Sequence, residues 1–518
     1  MELFDAIGEF GPWQRRVFIV LFCMNVVGIF QNFSITFLAP NMDFQCVEPP
    51  SYRKDNDSEI ALSLDSRCQV PVGPNETSSC TRWEYNTSLT SQTIVSEWNL
   101  VCDREWLISL AKSVYMIGFL LSVSFFGQVS DCVGRFPTLI MCYVITTTSM
   151  FLSLLSESYT MFIILRFFQA FGRTGITAVG YVLLMETAGP NYREGIGIAI
   201  QLGWAVGYVL LPGVAYFIRH WFWFQLFVSL CFLPFLVSYK FIPESPRWLA
   251  SRGRTKKLEK VLINAAAVNG KEFKGDIRDL DIFENNKEMK EKKAETIFEV
   301  LKRPNMRSRI FKMIYLWMVH TFLYYGVSYN TNDLAGNPYF NFFIAGAMEF
   351  PCRGIVFFIL KKLGRKPIIV LFMTVCGLAF GAMIFIPTDL PWLSTTFAMV
   401  GKFCVTASFA LLYLYTTEMF PTGVRNVSFG TCSMCARIGS ILAPFVRELG
   451  KATHPSIPNV LYALLALSCT LLTLFLPETR GLKMPDSLQE GEDLGRIPDK
   501  KKESIELNPP ASEVTSHM

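Results

Sequence analysis

Gly127-Gln-Val-Ser-Asp131-Cys-Val-Gly134-Arg135 and, about 230 positions later, Leu363-Gly364-Arg365-Lys366 are the stretches on which the fold turns. Each follows a long apolar block. Two further pairs obey the same spacing. Glu186, Pro190 and Arg193 return as Glu418, Pro421 and Arg425, with both charges shifted by 232. Pro243-Glu244-Ser-Pro-Arg247 returns as Pro477-Glu478-Thr-Arg480, shifted by 234. Three motif pairs in one order at nearly one offset mark an internal duplication. Their residue types suit short turns between packed helices. Glycine lets the chain turn tightly, and arginine offers a forked, permanent charge to an acid at a neighbouring helix end. We therefore read Asp131, Arg135, Glu186, Arg193, Glu244, Arg365, Glu418, Arg425 and Glu478 as a gating set, whose pairs form in one state of a rocking protein and break in the other. The plainer reading is a row of interfacial anchors.

Working outward, the 518-residue chain is 51% hydrophobic and 18% charged, with a mean hydropathy of +0.32. Soluble domains carry about 25% charge. The apolar residues fall in blocks of roughly 18–24, long enough as helix to cross a hydrocarbon core of about 30 Å. Spans are predicted near 16–38, 107–127, 136–155, 160–184, 194–213 and 221–241, then 310–327, 339–360, 367–386, 391–414, 426–447 and 458–476. The predicted fold class is an all-α membrane protein, with twelve transmembrane helices in two six-helix halves. Residues 1–242 make the N-terminal half, including a loop at 41–103. A linker with short helices covers 243–309, the C-terminal half 310–476, and a tail 477–518. The first apolar block is too long for the core of a cleaved signal peptide, so it is expected to stay as the first span.

Charge orients the chain. The 41–103 loop carries four basic and ten acidic side chains, and 243–309 carries seventeen basic and eleven acidic. Excess Lys/Arg marks the cytoplasmic side. The loop is thus expected outside, and the linker and both termini in the cytoplasm of a multi-pass plasma-membrane protein. The loop holds Cys46, Cys68, Cys80 and Cys102, where disulfides persist. Four cysteines allow three pairings, which spacing does not choose among. Asn56, Asn75 and Asn86 begin glycosylation sequons on the same loop.

The motifs together resemble the major facilitator superfamily. The loop ending Ser96-Glu97-Trp98-Asn99-Leu100-Val101-Cys102 narrows the resemblance to the organic cation, anion and carnitine transporters (solute carrier family 22). So do Pro243-Glu-Ser-Pro-Arg-Trp248, Thr417-Glu-Met-Phe-Pro-Thr-Gly-Val-Arg425 and Leu476-Pro-Glu-Thr-Arg480. The resemblance implies an alternating-access carrier for small organic ions, with its site at the midplane between the halves. It implies a lipid-embedded protein that works as a monomer, with a coupling or exchange ion as a further partner. No cofactor and no nucleic-acid partner is implied.

An ionisable group at membrane depth is costly and points to function. Arg437 lies near mid-depth of the eleventh span. Where relatives of the anion and carnitine branches have arginine, the cation branch has an acid. Arg353, in the eighth span beside the helix-bending Pro351, matches a position that is basic in the anion branch. Glu349 stands four residues before it and could neutralise it as an intrahelical pair. Arg166 and Lys402 are read as helix-contact or cavity charges, and His320 as a hydrogen-bonded packing residue. The family's cavity wall maps onto Tyr324, Tyr325, Phe409, Tyr413 and Trp204; aromatic faces tolerate varied organic ligands. Gln31 and Asn32 could hydrogen-bond ligand or a neighbouring helix. No counterparts of Arg353 and Arg437 are evident in the first half.

No nucleophile elbow, nucleotide loop or His/Cys metal spacing is present, and the chain holds four histidines, so an enzyme is not expected. The reading is a polyspecific organic ion transporter leaning to organic anions or zwitterions such as carnitine. The alternatives are an organic cation transporter, a channel, or a non-transporting receptor.

Overall fold

The computed structural model describes residues 4, 7–47, 67–71, 77–88, 91–271, 296–387, 389–482 and 484–494. The sequons at Asn56 and Asn75 lie outside these. In the first half the long helices are α1 (Pro12–Leu38), α2 (Trp106–Val133), α3 (Arg135–Leu154), α4 (Tyr159–Thr187), α5 (Pro190–Phe217) and α6 (Trp221–Phe232, continued by Pro234–Ser238). In the second they are α7 (Pro304–Tyr329), α8 (Pro338–Ala347, continued by Glu349–Lys362), α9 (Arg365–Ala382), α10 (Pro391–Met419), α11 (Thr422–Leu442, continued by Phe445–Ala452) and α12 (Ile457–Leu474). Proline opens α1, α5, α7, α8 and α10, where its missing N–H would lack a partner anyway. The Ser158 hydroxyl caps α4 by accepting the Met161 N–H.

Among the described residues, eleven helices are long and apolar enough to cross a bilayer. The twelfth span is α7, at 26 residues long enough but too polar by composition. Packing explains this. Every residue from Val319 to Tyr329 is buried, so His320, Thr321, Tyr324, Tyr325 and Tyr329 face protein rather than lipid.

Within the first half, α4 packs on α2 and α3, and α1 on α5. Within the second, α7 packs on α10 and α11, and α9 on α10 and α12. The halves meet where α2 lies on α11 and α5 on α8. Gly346 makes the second contact possible, since a Cβ there would come within 3.1 Å of the Tyr208 backbone.

The all-α architecture carries two short β-ribbons in the 41–103 loop. There β1 (Phe44–Cys46) pairs antiparallel with β4 (Trp83–Tyr85), and β2 (Gln69–Pro71) with β3 (Thr77–Ser79). Strands of three residues carry too little pattern to be seen in sequence. Cys46 is bonded to Cys80 and Cys68 to Cys102, which ties these ribbons to each other and to the start of α2. Burial pushes the Tyr85 phenol up to about 12, so it stays a donor, and it bonds the Asn99 side chain at 3.0 Å. The linker helix Thr255–Val268 buries Leu258, Leu262 and Ala265 against Trp13, Phe4 and Ile7.

Candidate functional site

The repeated motifs gather on one face of the bundle, the motif face; the described residues of the 41–103 loop lie at the opposite, loop face. In the first half, Arg135 grips Glu186 through two bonds of 2.9 Å. Glu244 accepts the main-chain N–H groups of Arg135 and Phe136 at 2.8 and 3.2 Å. In the second half, Arg365 grips Glu418 at 2.7 and 2.9 Å. Glu478 accepts the N–H groups of Arg365 and Lys366 at 2.9 and 3.0 Å. Each carboxylate therefore sits at the N-terminus of a helix, α3 or α9, where free N–H groups favour negative charge. Glycine leaves room beside each, because a Cβ on Gly134 or Gly364 would displace the Glu244 or Glu478 carboxylate. Asp131, at the end of α2, adds a pair to Arg135 across the turn at 3.0 Å.

Arg193 and Arg425 behave otherwise than as acid partners. Arg193 donates to the main-chain carbonyls of Met185 and Ala188, both at 3.1 Å, and Arg425 to that of Phe420 at 3.2 Å. The physical reason is competition: Arg135 and Arg365 already hold both oxygens of the adjacent acids. These motif pairs close within each half and do not reach across.

The loop face is where the halves are joined. Glu105, at the N-cap of α2, meets Arg447 at 3.2 Å and also Lys451, both in the continuation of α11. Asn41 reaches Asp333, and Asp333 in turn holds Arg447 at 3.3 Å. Ser109 donates to the Glu448 carboxylate at 2.9 Å, and Lys112 to the Tyr329 carbonyl at 3.3 Å. Beneath these contacts Phe37 stacks on Tyr339, and Phe33 and Tyr208 pack around the fully buried Phe342.

At mid-depth a closed chain of contacts links the halves. The Tyr324 hydroxyl accepts from Trp204 Nε1 at 2.9 Å and donates to Glu349 at 2.8 Å. Glu349 pairs with Arg353 at 3.4 Å, and Arg353 donates to the Gln201 carbonyl at 2.8 Å, one turn of α5 before Trp204. Arg353 is thereby neutralised, whereas Arg437 is not. Its guanidinium lies over the Phe119 ring at 4.1 Å, with Nε unpartnered and no carboxylate within ion-pair distance among the described residues. Lys402 is buried in an aromatic box, 3.5 Å from the Tyr324 ring centroid, and donates to Ser328.

The other named residues distribute as follows. Trp204, Phe409, Tyr413 and Arg437 are half-buried; Trp204 and Arg437 touch the opposite half, and Phe409 and Tyr413 brace Trp317 within the second. Tyr325 is buried against Tyr329 and Phe33 rather than lining open space. Gln31 bonds Gln169 of α4. Asn32 is fully buried, with neither side-chain atom partnered. His320 is held by the Leu316 carbonyl at 2.6 Å and Ser408 at 2.7 Å. Asn86 is exposed.

The first half contributes two buried arginines of its own on α4, Arg166, which the sequence offers as a helix-contact or cavity charge, and Arg173, which it does not single out. Arg173 went unnoticed because its neighbours Phe171, Gly172 and Thr174 draw no attention. Its signal was an arginine two turns beyond Arg166, seven positions on and hence on nearly the same helix face.

Two six-helix halves joined at one face, with duplicated charge clusters at the other and an aromatic, charged middle, define a membrane carrier of the major facilitator fold. The fold matches a solved structure described as the inward open conformation of the xylose transporter XylE from E. coli, with a TM-score of 0.62 at 14% identity, covering 90% of this chain and 98% of that one. A family model described as "Sugar (and other) transporter" matches residues 21–486. The chain is 35% identical to the organic cation transporter protein of Drosophila melanogaster over 96% of its length and 95% of the relative's. It is 32% identical to the human organic cation/carnitine transporter 2, over 94% and 93%. It is 31% identical to solute carrier family 22 member 1 of Bos taurus, over 99% and 96%. The chain belongs to the solute carrier family 22 branch of the major facilitator superfamily, a family of transporters and not of enzymes.

Proposed function

We propose that this transporter carries small organic ions bearing a carboxylate, either anions or zwitterions of the carnitine kind, by alternating access. One observation carries the reading: Arg437 stands between the halves with no acid to neutralise it among the described residues. The charge inventory supports it. Arg166, Arg173, Arg353, Lys402 and Arg437 all lie well inside the bundle, and the buried Glu349, at the break in α8, pairs with Arg353 alone among them. An unpaired cation in a medium of low dielectric favours a negatively charged ligand group. The aromatic residues Trp204, Phe409 and Tyr413 would hold the organic part of the ligand.

The loop face is taken as extracellular and the motif face as cytoplasmic, on the positive excess of the 243–309 linker. The contacts joining the halves on the loop face then belong to an inward-facing state. When the motif face closes, the Arg135–Glu186 and Arg365–Glu418 clusters would meet and reorganise. Disulfides at Cys46–Cys80 and Cys68–Cys102, a glycan on Asn86, a monomeric unit and an exchanged or coupled ion complete the proposal.

Glu349 favours a second reading, carriage of organic cations, since it is buried beside the Tyr324 hydroxyl and two of the named relatives are called organic cation or organic cation/carnitine transporters. Uptake of tetraethylammonium, carnitine and a para-aminohippurate-like anion, with and without sodium, separates the two. Uptake of tetraethylammonium alone would overturn the carboxylate reading.

A further inference from the structure

Arg166 and Arg173 are 0% and 2% exposed, and the ion pairs found among the described residues give neither of them a carboxylate. Such burial is costly unless something negative shares the space. Arg166 spends one nitrogen, Nη1, on the Ser34 hydroxyl at 2.8 Å and lies over the Tyr115 ring at 4.7 Å. Among the described residues its Nε and Nη2 have no partner, and neither have Nε and Nη2 of Arg173. Four guanidinium donors are thus buried and unanswered. The hydroxyls of Tyr115 and Tyr329 are also buried without partners. Tyr115 is within electrostatic reach of both arginines, and Tyr329 of Arg166.

The arrangement is accommodated by its surroundings. Gly28 of α1 has no side chain where Arg173 passes, and a Cβ there would stand 2.8 Å from Arg173 Nε. On its other side Arg173 lies 5.9 Å from the Trp204 ring, which connects the site to the mid-depth contacts between the halves. Backbone carbonyls alone would leave two full charges uncompensated. A small anion would answer both.

We propose that Arg166 and Arg173, with the Tyr115 and Tyr329 hydroxyls, form a small-anion site inside the first half, separate from Arg437, for a halide or the carboxylate of an organic acid. The halide source stands independently of the transport reading above; the carboxylate source rests on it. Occupation would link α1, α2 and α4 to Tyr329 of α7, and so would favour the state in which the loop face is closed.

The full chain in lipid nanodiscs, in gluconate buffer at constant ionic strength, is titrated with chloride and separately with acetate, and the thermal midpoint is read. A ligand that binds only the folded chain raises that midpoint saturably. The wild type and Arg437→Gln should both respond, with the apparent affinity weakened at least about tenfold in Arg166→Gln and Arg173→Gln, each of which removes charge-assisted donors. A response to chloride assigns a halide, and a response to acetate alone assigns a carboxylate. No saturable response to either anion overturns the site, as does a response abolished by Arg437→Gln and kept by Arg173→Gln. Should the glutamine variants not fold, Tyr115→Phe and Tyr329→Phe keep the packing and should each weaken affinity about fivefold through one lost hydrogen bond; unchanged affinity in both overturns the proposal. Carboxylate uptake without any anion response rejects the site alone, and an anion response without carboxylate uptake rejects the transport reading alone.

Discussion

The Arg437 guanidinium carbon lies 4.1 Å from the centroid of the Phe119 ring, so a cation of the second half rests against α2 of the first. A ligand carboxylate at Arg437 would therefore bind at the seam between the halves, where binding can bias their relative position. Arg437→Asp should lower carboxylate uptake at least about tenfold, the scale of one lost charge-assisted hydrogen bond. Uptake of tetraethylammonium should not fall with it. Parallel uptake of labelled para-aminohippurate and tetraethylammonium checks this, and undiminished anion uptake would sink the role of Arg437.

Closure of the loop face depends on Glu105, which faces both Arg447 and Lys451. Partly exposed ion pairs contribute only about 0–1 kcal/mol, so Glu105→Gln should change the open population less than about fivefold. Glu105→Lys is a stronger intervention, because it sets three cations together. It should speed labelling of a cysteine placed at Ser109 by a membrane-impermeant thiol reagent. Labelling at the wild-type rate in the lysine variant would show that this cluster does not hold the face shut.

Much of the architecture was readable because a span is a composition signal and the duplicated Gly134/Gly364, Glu186/Glu418 and Glu244/Glu478 positions are a spacing signal. Helix α7 was readable from its length, although its tyrosines and His320 make it polar, a consequence of being buried in protein. The partner of each charge was harder to read. Nothing local says that Arg135 rather than Arg193 takes Glu186, since that depends on which helix ends meet in space. The loop's pairing of Cys46 with Cys80 was equally closed to sequence, because β1 and β4 are distant in the chain. Arg173 was hidden for a third reason: its meaning lies in the partners it lacks, which only the packed structure lays out.

Gly134 and Gly364 make the same approach to a carboxylate with different backbones. Gly134 has φ +124, which side-chain-bearing residues rarely adopt, whereas Gly364 has φ −74. Gly364→Ala must displace the Glu478 side chain only. Gly134→Ala must displace Glu244 and also strain the main chain, at a further cost of about 1–3 kcal/mol. The thermal midpoint of the purified protein should fall further for Gly134→Ala. Equal falls would mean that the turn before α3 relaxes freely.

The Arg135–Glu186 and Arg365–Glu418 grips are equivalent in geometry and lie wholly inside their own halves, so each should act first on the stability of its half. Arg135→Ala strands a partly buried Glu186, and Arg365→Ala strands Glu418, which is 7% exposed. Breaking one partner of a buried pair costs about 3–5 kcal/mol; solvent at Glu186, whose side chain is 19% exposed, makes the first-half loss the smaller. Both variants should lower the thermal midpoint, Arg365→Ala by more. Arg365→Lys should recover only part of its loss, because lysine lacks the forked geometry that meets both oxygens. A pure gating role predicts otherwise: transport rate would change while the midpoint stayed put, since the grip would then be lost and regained within the working cycle. Measuring midpoint and initial uptake rate on the same preparations separates the two, and unchanged midpoints would assign these clusters to motion rather than to holding each half together.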